Sequence, residues 1–303
     1  VLCFLFFELV YHFKKALTKI GGIVAMYYFP KKYVAFLICF FFFSNSIPGQ
    51  DGLSHVNESI GITAPPKNLN LNPFYKKYTC ANGIHIMSSK KVPDTAIYAA
   101  YKTITFMTDS LPAAVLDSMI SRNTRVAIMA RYEGTTDIPE HAYLANDTTL
   151  NWDVRARGLG ASLELPLTTC AEENLLCYQI DKYHAEDILI HEFAHTIHLV
   201  GIIPNDTTFN RLLQDQMNAV IAEGKYRDTY ALTDILEYFA EGVQTWFNVN
   251  AEVPEPDGKH NQINTRLELK EYDPGLYQIL SRFFPESDEC PSCHKVINKY
   301  SLR

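Results

Sequence analysis

The chain has no cluster of basic residues beyond pairs such as Lys31-Lys32 and Lys90-Lys91, and its 34 acidic residues outnumber 27 basic ones for a net charge of -7. This argues against nucleic acid as a partner and against a polybasic membrane contact, both of which need grouped Lys and Arg. Long apolar runs are also missing. The main ones, Val1 to Val10 and Val34 to Phe43, are separated by His12, Lys14, Lys15 and Lys19 and fall well short of the roughly 20 residues of a membrane-spanning helix. No repeat or low-complexity tract follows residue 50. Cys290-Pro-Ser-Cys293 has no second C-x-x-C to complete a zinc ribbon.

With 47% apolar and 20% charged residues the composition is that of a globular protein. The first 48 residues stand apart as an upstream segment and a signal peptide. From Met26, Lys31-Lys32 precede the apolar run and then Ser44, Asn45, Ser46 and Gly49, the layout of a secretory leader over about residues 26–48. The reading is export to the extracellular space, with no stable membrane insertion once the leader is cut. Asn57, Asn146 and Asn205 head glycosylation triplets. In an oxidising compartment Cys170 with Cys177, and Cys290 with Cys293, are the expected disulfides; five cysteines beyond the leader leave one thiol over. Residues 49–75, rich in Asn, Pro, Gly and Ser, read as an extended arm, and 76–303 as one domain. If the protein is held latent, that arm or Cys80 would do it.

Apolar spacing predicts helices over 94–108 (Asp94 capping), 112–120 (after a Ser110 cap), 186–200 (stopped by a left-handed Gly201), 207–223, 233–248 and 265–284 with a break at Pro274-Gly275. Arg125 to Ala130 reads as a buried strand, with weaker strands at 156–163 and 175–179. The fold class is α+β: a small mixed sheet, an active-site helix and a mostly helical C-terminal part.

That helix carries His191-Glu-Phe-Ala-His195. Residues four apart lie about 40° apart around a helix, so both imidazoles leave one face and can reach a single Zn²⁺ at roughly 2.0–2.1 Å. Glu192 stands beside them as a general base for a zinc-activated water. His198 comes too soon for a third ligand: about 300° around from His195, on the same helix, it reads as a packed or solvated histidine. No H-x-x-G-x-x-H is present. A later helix offers Leu236-Glu237-Tyr-Phe-Ala-Glu241, with two carboxylates one turn apart that a nearby cation would reconcile. One of the two binds and the other orients a ligating histidine.

His191-Glu-x-x-His195 followed by an E-x-x-x-E helix resembles the gluzincins, the thermolysin-like metallopeptidases with a zincin fold. It is most similar to the catalytic domains of the anthrax lethal factor and Pro-Pro endopeptidase group, where a tyrosine lies seven residues before the glutamate ligand and the ligand segment reads E-F-F-A-E. Here Tyr230 lies seven before Glu237. A group of secreted proteins with an H-E-F-A-H-T-I-H helix is also similar. The resemblance spans about residues 185–247. It implies one zinc held by His191, His195 and Glu237, a supporting role for Glu241, and Tyr230 as hydroxyl donor to the oxyanion; apart from the resemblance, Tyr226 competes for that last role.

The expected function is therefore that of a secreted zinc metallopeptidase, a hydrolase with Glu192 and Tyr230 as catalytic residues and a peptide or protein as substrate. The alternatives are a secreted binding or toxin-like protein with a non-catalytic zinc site, and a zinc hydrolase of a non-protein amide. Ala156 to Ala161 reads equally as a substrate-pairing edge strand or a Gly-rich loop. Asn264-Thr-Arg266 orients catalytic residues or holds a carboxylate structurally.

Overall fold

The structure is a computed structural model that describes residues 60–295. The expected leader, Asn57 and residues 49–59 of the arm lie outside the described residues. Two strands open the sheet, β1 (Lys77–Ala81) and β2 (Ile84–Ser88), paired antiparallel with Ala81 opposite Ile84. The two residues between them, Asn82 and Gly83, both have positive φ, the geometry of the tight hairpin turn that Asn-Gly favours.

Helices α1 (Asp94–Thr108) and α2 (Ala113–Ser121) then cross to β3 (Arg125–Met129), which pairs parallel to β2; β4 (Leu167–Ala171) pairs parallel to β3. The order is β1-β2-β3-β4, a mixed sheet of four strands. Parallel neighbours require such crossovers, because no tight turn can join them.

Side chains alternate across the sheet. Ile84, Ile86, Val126, Ile128 and Cys170 join the main core with α1, while Met87, Ala127, Met129, Leu167 and Ala171 pack with Tyr75 and Ile138 on the other face. The arm's described end ties back to this sheet, since Thr63 bridges Tyr78 and the Tyr75 hydroxyl donates to Glu140. Cys80 is exposed on β1, the edge strand farthest from β4, and does not line the cleft described below. A latency role for it has no geometric basis.

The second half is helical: α3 (Ile188–Thr196), α4 (Phe209–Ala222), α5 (Ile235–Trp246), α6 (Arg266–Tyr272) and α7 (Pro274–Leu280). The expected helices stand within a few residues of their predicted ends, but three end signals act differently. Pro93 and Pro112, rather than Asp94 and Ser110, occupy the N-cap positions, where their fixed φ starts a helix. Gly201 is not a left-handed cap, for α3 widens into a π-helical turn over Ile197–Ile202 that includes it. Its missing side chain lets α2 approach, since a Cβ there would lie 2.7 Å from Val115.

Helix α5 is the hub, with Tyr238, Phe239, Val243 and Trp246 fully buried against α3, α4 and α7. Among the described residues no helix is long and apolar enough to cross a membrane.

The expected disulfides do not form. Cys177 pairs with Cys293, and Cys170 and Cys290 are free and buried. Cys170 points into the core from β4, whereas Cys177 follows at a left-handed position, φ 50°, where the chain meets the returning C-terminal segment. Closing a loop with a sequence separation of 116 restricts the unfolded chain strongly. Cys177→Ser is therefore expected to cost about 3–5 kcal/mol and to lower the melting temperature in non-reducing buffer to that of the reduced wild type. Equal melting temperatures for oxidised wild type and variant would show that the cross-link contributes nothing.

Among the glycosylation triplets, Asn146 is exposed. Asn205 is a poor acceptor, because its amide donates to Ala114 O and Gly201 O at 3.1 and 2.8 Å. Arg266 is structural, binding Asp288 and the carbonyls of Trp246 and Ser287.

Candidate metal centre

The amino end of α3 is pinned before its histidines appear. Asp187 caps it through Ile190 N at 2.9 Å, Asn174 Oδ1 accepts from Ile188 N at 2.8 Å, and Ser292 donates to the second Asp187 oxygen at 2.5 Å. The cross-linked C-terminal segment thus braces the helix that carries His191, Glu192 and His195. Helix α5 crosses α3 and begins at Asp234, whose side chain accepts from Leu236 N and Glu237 N. Glu237 stands in that first turn, where the helix dipole favours a carboxylate.

These helices bring His191, His195 and Glu237 to one point. His191 Nε2 lies 3.2 Å from His195 Nε2 and 3.1 Å from Glu237 Oε2, and His195 Nε2 lies 3.5 Å from that same oxygen. A tetrahedral zinc with bonds near 2.0–2.1 Å has ligand-to-ligand edges of about 3.3–3.4 Å. The observed triangle fits that edge. The donor set of two imidazoles and one carboxylate is also that of a zinc site with an open position.

Gln244 stands closer to His191 Nδ1 than Glu241 does. Its Oε1 lies 2.8 Å from His191 Nδ1, and its Nε2 donates to Asp187 O at 3.1 Å. Since the amide nitrogen is committed to a carbonyl, Oε1 must accept, so Nδ1 carries a proton and Nε2 is the nitrogen turned to the triangle, where a metal would take the place of any proton. Glu241 Oε1 is farther from Nδ1, at 3.6 Å, and Glu241 Oε2 accepts instead from Asn250 at 3.0 Å. Gln244 lies three residues after Glu241 on the same face of α5; that spacing was the available signal.

Charges around the triangle are unbalanced toward the negative. Burial opposes a charge on His191, but the Glu237 hydrogen bond and the carboxylates of Glu192, Glu241 and Glu237 lift its pKa to about 10. Burial likewise opposes ionisation of Glu237, yet its bonds to His191 and His195 hold its carboxyl well below the usual range. Burial raises the Glu192 carboxyl, while His191, His195 and the Gly160 N–H pull it back.

Residues 156–161 form no strand of their own; Leu159 alone bridges to the sheet. It exchanges two backbone hydrogen bonds with Thr169 of β4, at 3.3 and 2.9 Å, which holds this glycine-flanked residue against the sheet edge. Glycine is required on either side of Leu159. A Cβ at Gly158 would meet Glu192 Cγ at 2.9 Å, and one at Gly160 would meet His195 Cβ at 2.7 Å. Thr196 locks this strip to α3, bonding Thr168 and Ala161 N.

The triangle opens into a cleft of about 690 Å³ lined by Trp152, Arg155, Leu159, Tyr183, Glu192 and Tyr230 among others. The Tyr230 hydroxyl donates to Glu237 Oε1 at 3.1 Å and is kept protonated by burial and that carboxylate. Its competitor Tyr226 is buried between Tyr238 and Tyr272, away from the cleft. His198 is fully buried between Phe209 and Phe239 with Nε2 on Asn210 Oδ1 at 2.7 Å, and burial lowers its pKa to about 4. It takes no part in the triangle.

No family model matches the chain, and no curated protein matches it. Among solved structures it is similar to a Pro-Pro endopeptidase from Paenibacillus alvei, with 18% identity and a TM-score of 0.46 over 66% of this chain and 97% of that one.

Proposed function

We propose that the chain is a secreted zinc-dependent endopeptidase with a zincin-like catalytic domain. The observation that carries this reading is the His191, His195 and Glu237 triangle, set in an open cleft with Glu192 one residue from the first ligand. A structural zinc site closes all four positions, mostly with Cys and His, and has no use for an adjacent base. Export rests on the leader pattern and is in keeping with the Cys177–Cys293 cross-link.

When bound, the zinc would supply Lewis-acid polarisation and make a water acidic enough to attack at neutral pH. The chain's own residues do the rest. Gln244 holds His191 in the tautomer that presents Nε2. Glu192 takes the proton of the attacking water and passes it to the leaving amine, and its raised pKa suits both halves of that task. Tyr230, protonated and at the cleft wall, donates to the carbonyl oxygen as negative charge builds there. Leu159, which lines the cleft, would form part of the wall against which a peptide lies.

The test is zinc analysis of the dialysed secreted protein together with digestion of a mixed peptide library. About one zinc per chain and zinc-dependent cleavage, abolished by a chelator and restored by zinc, are expected. Zinc without cleavage of any peptide would favour the non-catalytic site or a non-protein amide, and absence of zinc would leave H-E-x-x-H as an ordinary helix.

A further inference from the structure

One wall of the cleft is cationic in a chain whose net charge is -7. Arg155, exposed at the end of the single helical turn Trp152–Arg155, lines the cleft together with Tyr230. Lys259 lines it too, on a turn in which Asp257 Oδ1 accepts from Lys259 N and His260 N at 2.9 and 2.8 Å. The Lys259 carbonyl accepts from Tyr230 N at 2.8 Å, so this cation is tied to the tyrosine of the cleft wall. Just outside, Lys182 Nζ donates to Val154 O at 2.7 Å and braces the turn that carries Arg155. Burial lowers the proton affinity of Lys182, and the charges of Arg157, Arg155 and Lys259 lower it further.

Like charges gather at a cost unless something opposite meets them. Four of the nearby carboxylates are engaged elsewhere. Glu173 is taken by Arg157 at 2.6 Å, Glu186 by His260 at 3.1 Å, Glu241 by Asn250, and Glu237 by the histidine pair. Among the described residues neither Arg155 nor Lys259 forms an ion pair. A wall of this kind suits an anion carried by the substrate, and a guanidinium suits a carboxylate in particular, through two parallel hydrogen bonds.

Building on the peptidase reading, we propose that Arg155 and Lys259 select substrates that bear a carboxylate close to the scissile bond, either an acidic side chain or the terminal α-carboxylate. Both sources present the same two oxygens, and matched peptides separate them.

Twins differing only as Glu and Gln near the cut site report the side chain, while twins ending in a free acid or an amide report the terminus. The wild type is expected to prefer the carboxylate member of one pair by about tenfold or more in kcat/KM. That ratio should shrink between about 20 mM and about 500 mM salt, as exposed charges are screened. In Arg155→Gln with Lys259→Gln the ratio is expected to fall toward one, and Lys259→Glu is expected to shift preference toward Lys-bearing peptides. Equal rates for both members of every pair, or a ratio untouched in the double variant, would overturn the proposal. If the wild type cuts nothing, the peptidase reading fails separately. Binding of the same fluorescein-labelled twins to zinc-loaded Glu192→Gln protein, read by anisotropy, then decides: tighter binding of the carboxylate twin supports the proposal, and equal binding ends it.

Discussion

Glu192→Gln is expected to keep about one zinc per chain and to lose roughly 10²–10⁴-fold in kcat, the usual contribution of a positioned general base. The expectation of intact zinc follows from geometry. Glu192 contributes no atom to the triangle, whose donors are His191 Nε2, His195 Nε2 and Glu237 Oε2. A glutamine of the same length keeps the packing of Cγ against Gly158, so the strip beside β4 stays on α3. What it lacks is any site for the water's proton. Metal analysis and peptide hydrolysis on one preparation test both halves together. Full hydrolysis by the variant would remove Glu192 from the chemistry; loss of zinc would mean the residue holds the metal rather than the proton.

Much of the helical architecture, and the motif on α3, could be read from spacing because each helix buries one face and repeats that demand every three or four residues. The sheet was harder. Only β3, a continuous Val-Ala-Ile-Met run, announced itself. The hairpin of β1 and β2 carried a legible signal in Asn82-Gly83, but strands flanked by Lys77, Cys80 and His85 do not alternate cleanly, since β2 is buried on both faces. Leu167 to Ala171, with two threonines, has no apolar run; it is a strand because β3 and Leu159 pair with it on either side. Cysteine pairing depends on where the chain returns after many residues, and nothing local encoded the meeting of Cys177 with Cys293.

The site divides along the same line. Residues that share one helix face, His191 with His195 and Glu237 with Glu241, can be placed by periodicity. Their partners cannot, because they depend on how α3 and α5 cross. A search for charged partners passes over Gln244, yet a neutral amide fixed at both ends sets a histidine's tautomer as firmly as a carboxylate does, and it adds no charge to a cluster that already holds three glutamates.

That division gives an expected order of zinc affinity among three variants. Glu237→Ala removes a donor at one corner of the triangle and should leave no zinc after dialysis. Gln244→Ala should retain zinc with affinity about 10–100-fold weaker, the usual effect of losing a partner that orients a ligand. Its loss frees His191 Nδ1 from its 2.8 Å contact and lets the ring turn or change tautomer. Glu241→Ala should cost less than Gln244→Ala, because its oxygen stands 3.6 Å from the same nitrogen and is already bound by Asn250. Competition with a chromogenic chelator gives all three constants on one scale, and thermal melts separate lost affinity from lost fold. If Glu241→Ala were the one to lose zinc while Glu237→Ala kept it, the third ligand would be Glu241 and α5 would have to turn to present it. If Gln244→Ala bound zinc like the wild type, His191 would be held by its packing against α5 alone, and the amide would serve only to tie α5 to the start of α3.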